Sequence, residues 1–293
     1  LQIGQIPWLD HFFDKNPIYH LGPAVFGPSI TFALEKLAIR RKETDKGPGD
    51  KPNDMLDMYL EAQKQYPDIV DEQTLLAYLM ANVAAGSDTV ATALRAVIYQ
   101  LCRNSEAMAR LKKELDDVRS SPEGLTLPIT WSDCQNRLPY LDACVREGLR
   151  LCPGIALCLE RVVPPQGFSL SDGRFFPGGT VVGINPYVMN RHEGTFGADS
   201  DEFRPERWLK AADETEETFR QRLTNMRETE FTFGHGKRQC SGRNLAWLEV
   251  YKLIGTLLLT FDVKLADPNK EWKTVNHWFM KQSEMDMVFE RRM

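Results

Sequence analysis

The chain has 293 residues, a 42% hydrophobic content and a formal net charge of −5, the profile of an ordinary globular protein long enough for a large core. That acidic balance does not favour nucleic acid as a partner. Of the six cysteines, none forms a Cys-x-x-Cys pair and only Cys240 has the surroundings of a ligand; Cys102, Cys134, Cys144, Cys152 and Cys158 are expected to be buried reduced thiols, as in a protein facing the cytosol.

No internal repeat is evident, and the polar or proline-rich stretches 40–53, 120–128 and 211–228 read as loops rather than domain boundaries. Residues 71–103 are apolar over Leu75, Leu76, Leu79, Met80 and Val83, then interrupted by Ala85-Gly86-Ser87-Asp88-Thr89. Asn82, Asp88 and Arg95 make this segment too polar to cross hydrocarbon, so it reads as one long buried helix. At 3.6 residues per turn Ala85, Asp88, Thr89 and Thr92 share a face on which a flat cofactor could lie. Gly86 in mid-helix costs about 1 kcal/mol against Ala, which signals close packing or function. A helix crossing at small residues is the competing explanation.

A second helix starts at Pro139, ends at Pro153-Gly154 and buries Leu141, Cys144, Val145, Leu149 and Cys152. Glu147 and Arg150 lie three apart on its other face, a spacing that also suits a surface ion pair worth about 0.2–0.5 kcal/mol. Phe168 and Phe175 flank Asp172-Gly173 as in a hairpin, and residues 180–184 read as a short strand. Gly234, Gly236 and Gly242 then bracket Cys240, glycine being used where backbone takes positive φ or approaches a ligand closely. Leu245, Ala246, Leu248, Leu253, Ile254, Leu257 and Leu258 recur at helical spacing, which sets Cys240 at a helix N-terminus. The helix dipole, with Lys237, Arg238 and Arg243, favours an anion there, and a thiolate is the form that ligates metal. A buried structural thiol is the alternative. Residues 285–289 alternate like a last strand.

The stretch Phe233-Gly234-His235-Gly236-Lys237-Arg238-Gln239-Cys240-Ser241-Gly242 resembles the haem-binding signature of the cytochrome P-450 family, Phe-x-x-Gly-x-Arg-x-Cys-x-Gly, at each fixed position. The resemblance implies a mainly α fold with small β-sheets, an α+β arrangement, and haem b as cofactor. It makes Cys240 the axial ligand, Arg238 a partner of a haem propionate, and Phe233 the ring beside the sulfur, with Gly236 and Gly242 shaping the turn. Ala85-Gly86-Ser87-Asp88-Thr89 is similar to the family's oxygen-activation motif. It implies that Thr89 hydrogen-bonds dioxygen and positions water while Asp88 relays protons. Many members carry a second hydroxyl residue after the threonine, where this chain has Val90. Phe203-Arg204-Pro205-Glu206-Arg207-Trp208 resembles the element whose arginine joins the Glu-x-x-Arg pair, so Glu147, Arg150 and Arg207 are expected to form a structural network. Arg161 resembles the arginine many members turn toward a propionate, residues 155–158 a substrate-contacting segment, and residues 276–280 a loop entering the substrate pocket.

Ile6-Pro7-Trp8-Leu9-Asp10 and Asn16-Pro17 resemble a mid-chain segment of fungal members similar to pisatin demethylase. Residues 1–293 therefore correspond to the C-terminal portion of a single catalytic domain. Any membrane anchor, the N-terminal strands and several helices closing the haem pocket would lie outside it, and residues 1–293 alone are expected to fold poorly or lose haem. For the complete protein the resemblance implies a monooxygenase that takes O2, an apolar small-molecule substrate and electrons from an NADPH-cytochrome reductase. It implies a location on the cytosolic face of the endoplasmic reticulum membrane, with membrane contact only through an absent N-terminal anchor. A haem-binding remnant without turnover, or a haem-thiolate isomerase or dehydratase on the same fold, are the alternatives, and Thr89 argues against the latter.

Overall fold

The computed structural model describes residues 27–44, 54–276 and 278–292. The segment around Trp8 and Asn16, and residues 45–53, lie outside the described residues. The described chain forms two compact units, one ending at Asp88 and one starting at Thr89.

In the first unit, helix α1 (Gly27–Thr44) and helix α2 (Met55–Gln65) precede helix α3 (Glu72–Arg103). Asp54 caps α2, accepting from the backbone N–H of Leu56 at 3.0 Å and Asp57 at 3.2 Å. Residues 40–44, expected to be loop, are helical. Arg40 lies 2.7 Å from Asp54 and Arg41 lies 2.7 Å from Glu72, so cations in the last turn of α1 meet carboxylates. Leu37, Val70 and Leu75 form this unit's apolar centre.

The long helix is continuous, as its pattern predicts, but its burial is uneven. Val97 and Leu101 are fully buried, whereas Ala85, Asp88 and Arg95 are exposed. In the second unit, α4 (Ser105–Arg119) is capped by Asn104, α5 (Trp131–Asn136) by Thr130, and α6 (Pro139–Leu151) opens with proline at its first position. Leu138 offers α6 no side-chain cap, so its free N–H groups need another acceptor. Glu114 of α4 supplies one, accepting from Tyr140 N at 2.8 Å and Leu141 N at 2.9 Å. The expected stripe of α6 is buried, and Glu147 and Arg150 are buried too, because protein rather than water covers that face.

Short strands β1 (Leu159–Val162) and β4 (Val181–Ile184) pair antiparallel with Arg161 opposite Val182. β2 (Phe168–Ser169) and β3 (Phe175–Phe176) form the expected hairpin, with Gly173 at φ +89° in its turn. Helices α7 (Pro186–Met189) and α8 (Glu193–Phe196) follow, then a 3-10 turn (Pro205–Trp208).

Residues 211–228, expected to be loop, contain helix α9 (Glu216–Thr229). Thr215 caps it through Thr218 N at 3.1 Å, Glu216 and Glu217 sit in its first turn, and of its residues only Met226 is buried. One buried contact leaves no apolar period to read.

Helix α10 (Arg243–Thr260) runs directly into β5 (Phe261–Leu265), which pairs with β8 (Met287–Arg291). The hairpin β6 (Lys273–Asn276) with β7 (Met280–Ser283) closes the chain's topology, and every sheet is antiparallel and two-stranded. Leu111 and Leu115 of α4, Leu141 and Val145 of α6, and Ile254 and Leu258 of α10 meet Val97 and Leu101 in one core. That core fixes α10, and so the segment entering it.

Cys134, Cys144 and Cys152 are buried as expected, but Cys158 is exposed and Cys102 half-buried. Cys158 follows a short bridge outside the helical core, where no element covers it. Burial pushes the Cys134 and Cys152 thiols up to about 11, keeping them protonated and inert.

Candidate functional site

The turn before α10 is built by its own backbone. Gly234 N donates to Phe231 O at 3.0 Å, Gln239 N to Gly236 O at 3.0 Å, and Cys240 N to Phe233 O at 2.9 Å. Gly234 at φ +66° and Gly236 at φ +69° occupy the left-handed region, where a side chain would be strained. Gly242 does not, its φ being −81°, so its glycine has another cause. A Cβ at Gly242 would stand 3.9 Å from Cys240 Sγ, and glycine leaves the sulfur uncovered. Cys240 is exposed three residues before Arg243, the start of α10. Phe233 is half-buried with its ring 5.2 Å from that of Trp247, anchoring the turn to α10. Lys237, Arg238 and Arg243 are all exposed.

On α3, Thr89 is half-buried, and a Cβ on Gly154 would lie 3.8 Å from Thr89 Cβ. One turn later Thr92 is buried and its hydroxyl donates to Met280 O at 3.5 Å. Ala85 and Asp88 are exposed, and a Cβ on Gly86 would meet nothing within 4 Å. Arg161 is exposed on β1, its guanidinium donating to Glu160 O at 2.7 Å. The 155–158 and 276–280 segments come together. Asn276 Nδ2 donates to Ala156 O at 2.9 Å, Met280 N to Gly154 O at 3.2 Å, and Ile155 bridges Phe279. The latter segment is a hairpin turn rather than a free loop, with Trp278 and Phe279 exposed near its tip.

Glu147, Arg150 and Arg207 meet. Glu147 has no solvent exposure and accepts from Arg150 Nε at 2.9 Å and Nη2 at 2.8 Å, and from Arg207 Nε at 2.9 Å. Two further donors reach it, Trp208 Nε1 at 2.8 Å and Arg204 N at 3.1 Å. Arg150 also donates to the carbonyls of Asn190 at 2.7 Å and Ser200 at 2.5 Å. Asn190, fully buried, then donates to Arg150 O at 3.2 Å and accepts from Phe231 N at 2.8 Å. It thereby ties α6 to the start of the Cys240 turn. Sequence reasoning missed Asn190 because nothing around it marks a polar residue as buried.

The donor set discriminates between kinds of metal group. Among the described residues no three His, Cys, Asp or Glu side chains gather as a metal site. A bare zinc ion needs about four such ligands. A single uncovered sulfur on a glycine-shaped turn fits instead a metal that brings its remaining ligands with it, as a haem does.

The family model for Cytochrome P450 matches residues 2–288. The chain is 44% identical over 290 residues to cytochrome P450 monooxygenase cfoH of Aspergillus candidus, covering 99% of this chain and 53% of that protein. It is 39% identical to cytochrome P450 monooxygenase pkfB of Emericella nidulans, covering 99% of this chain and 54% of that one. It therefore spans about half the length of these relatives. The crystal structure of a cytochrome P450 (CYP102L1) superposes with a TM-score of 0.69 at 25% identity, over 90% of this chain and 55% of that one. With the signature turn, the α+β fold and the family match all in agreement, the chain belongs to the cytochrome P450 family.

Proposed function

We propose that the protein containing this chain is a haem-thiolate monooxygenase that inserts one atom of O2 into an apolar organic substrate. The exposed Cys240 sulfur on its glycine-shaped turn is the observation that carries this reading. Haem b, when bound, supplies the electron-rich iron on which dioxygen is cleaved. Cys240 would hold the iron through its sulfur, whose position Phe233 and the backbone bond from Cys240 N to Phe233 O fix. Arg238 and Arg161 would supply cations to the haem carboxylates. Thr89 Oγ1 holds a proton for the distal side, and Asp88, exposed one residue earlier, exchanges it with solvent. Glu147, Arg150 and Arg207 hold α6 against the loops that lead into the Cys240 turn.

The electron donor is an NADPH-cytochrome reductase, drawn to Lys237, Arg238 and Arg243 by its acidic surface. Residues 155–158 and the hairpin tip at Trp278 and Phe279 offer apolar surface to the substrate. We place the complete protein on the cytosolic face of the endoplasmic reticulum membrane. No described helix is long and apolar enough to cross a membrane.

The test is the spectrum of the reduced, CO-bound full-length protein. A red-shifted thiolate band that disappears in Cys240→Ser, together with NADPH- and reductase-dependent turnover, is the expected result. Absence of the band in the parent protein rejects thiolate ligation, and turnover without reductase rejects the monooxygenase reading.

A further inference from the structure

Beside the Cys240 turn lies a cavity of about 300 Å3, lined by α5, α6, α9, α10 and the turn's own backbone. Cys240 and Thr89 are not among its lining residues, although it shares Phe233 with the Cys240 turn and Arg243 with the patch proposed to attract the electron donor. Its walls are aromatic. Trp131 meets Tyr251 edge-on with ring centroids 5.7 Å apart, and Trp247 stacks on the same Tyr251 at 5.4 Å and 27°. Trp131 is exposed, so the aromatic wall reaches solvent.

The charge of the cavity is unbalanced. Arg146 is spent internally, its Nε 2.8 Å from Asp142 and its guanidinium 5.1 Å above the Trp247 ring. Arg227 and Arg243 line the same space, and their guanidinium groups make no hydrogen bond or ion pair to any described residue. Glu230, which accepts from the Thr232 hydroxyl at 2.7 Å, is the one carboxylate in the lining, set against the two cations Arg227 and Arg243. Burial, and then the Arg146 guanidinium, lower the pKa of Arg227, while Asp142, Tyr251 and Glu230 act in the opposite direction.

We propose that this cavity binds one small planar aromatic carboxylate. The ring would lie against the exposed Trp131 indole, and the carboxylate would accept from the guanidinium groups of Arg227 and Arg243. The volume holds a single-ring molecule, and the aromatic walls give nothing to an inorganic anion. The site does not depend on haem, so it stands or falls separately from the proposed reaction.

Isothermal titration of benzoate into the full-length protein, with cyclohexanecarboxylate and inorganic phosphate as comparison probes, tests the proposal. One benzoate per chain is expected, with both comparison probes weaker. Arg227→Gln, at an exposed position without a partner, should weaken benzoate about tenfold or more, and Arg227→Lys by less. Trp131→Leu should weaken benzoate while leaving phosphate unchanged, and it serves as the second variant should Arg227→Gln unfold. Absence of saturable binding overturns the proposal. So does benzoate binding indifferent to Arg227→Gln and Trp131→Leu, which would place the ligand elsewhere, and so does phosphate binding as tightly as benzoate.

Discussion

Glu147 is a carboxylate without any contact with water, and it is stable there only because five donors surround it. Glu147→Ala would leave the Arg150 guanidinium buried without a carboxylate and Arg207 with Asp199 alone, at a cost of about 3–5 kcal/mol. Urea denaturation of the variant reads this directly; a loss below about 1 kcal/mol would show that the remaining carbonyl acceptors suffice. Glu230 behaves differently. Burial raises its pKa despite the Thr232 hydroxyl and the Arg146 and Arg150 guanidinium groups, with Glu147 adding to the upward shift. The unfolded chain then loses this proton first as pH rises, so stability present below the ordinary carboxylate range is lost as pH climbs through the raised folded value. Glu230→Gln removes that loss. Its stability relative to the parent should improve as pH rises above the ordinary carboxylate range, and a difference that stays flat with pH would contradict it. The spacing of Glu147 and Arg150, and the motif around Arg207, were legible because each is local in sequence. The Trp208 and Asn190 bonds were not, since they join residues 61 and 40 positions apart.

At the scale of elements, α6 and α3 meet through a glycine. A Cβ on Gly148 would stand 2.7 Å from Val97 Cγ2 and 3.0 Å from Val97 Cα, too close for either atom. Gly148→Ala gains about 1 kcal/mol of helix propensity but forces apart packed backbone, a cost of about 1–3 kcal/mol. We expect net destabilisation by thermal melting, partly relieved by Val97→Ala in the same chain; a variant as stable as the parent would mean the helices separate freely. The pattern of α6 was readable because one stripe is apolar and proline and glycine mark its ends. The Glu114 carboxylate that satisfies its first N–H groups was not, because it arrives from α4. Helix α9 went unread for the opposite reason. Its anchors are polar, with Arg222 2.8 Å from Glu214 and bonded to Leu209 O at 2.9 Å, so no hydrophobic period announces it.

For the whole molecule, the sign of the charge depends on place. The chain carries −5 overall, yet the surface at the Cys240 turn presents Lys237, Arg238 and Arg243. Attraction of an acidic electron donor to that patch is screened as the Debye length shortens from about 30 Å at 0.01 M salt to about 8 Å at 0.15 M. Reduction by an NADPH-dependent flavoprotein, followed by stopped flow, should slow across that range, and Lys237→Glu should slow it most at low salt. A salt-independent rate would remove charge from the docking. The sequence alone determined the family, the turn that marks it, and the helix that follows that turn, because glycine placement, motif spacing and apolar period are local properties of the chain. Only tertiary structure decided that Glu147 is buried among five donors and that Cys158 is exposed. It alone also gathered Arg146, Arg227 and Arg243 around one aromatic cavity beside the Cys240 turn. Burial and convergence are set by which distant segments pack together, and no local pattern records that choice.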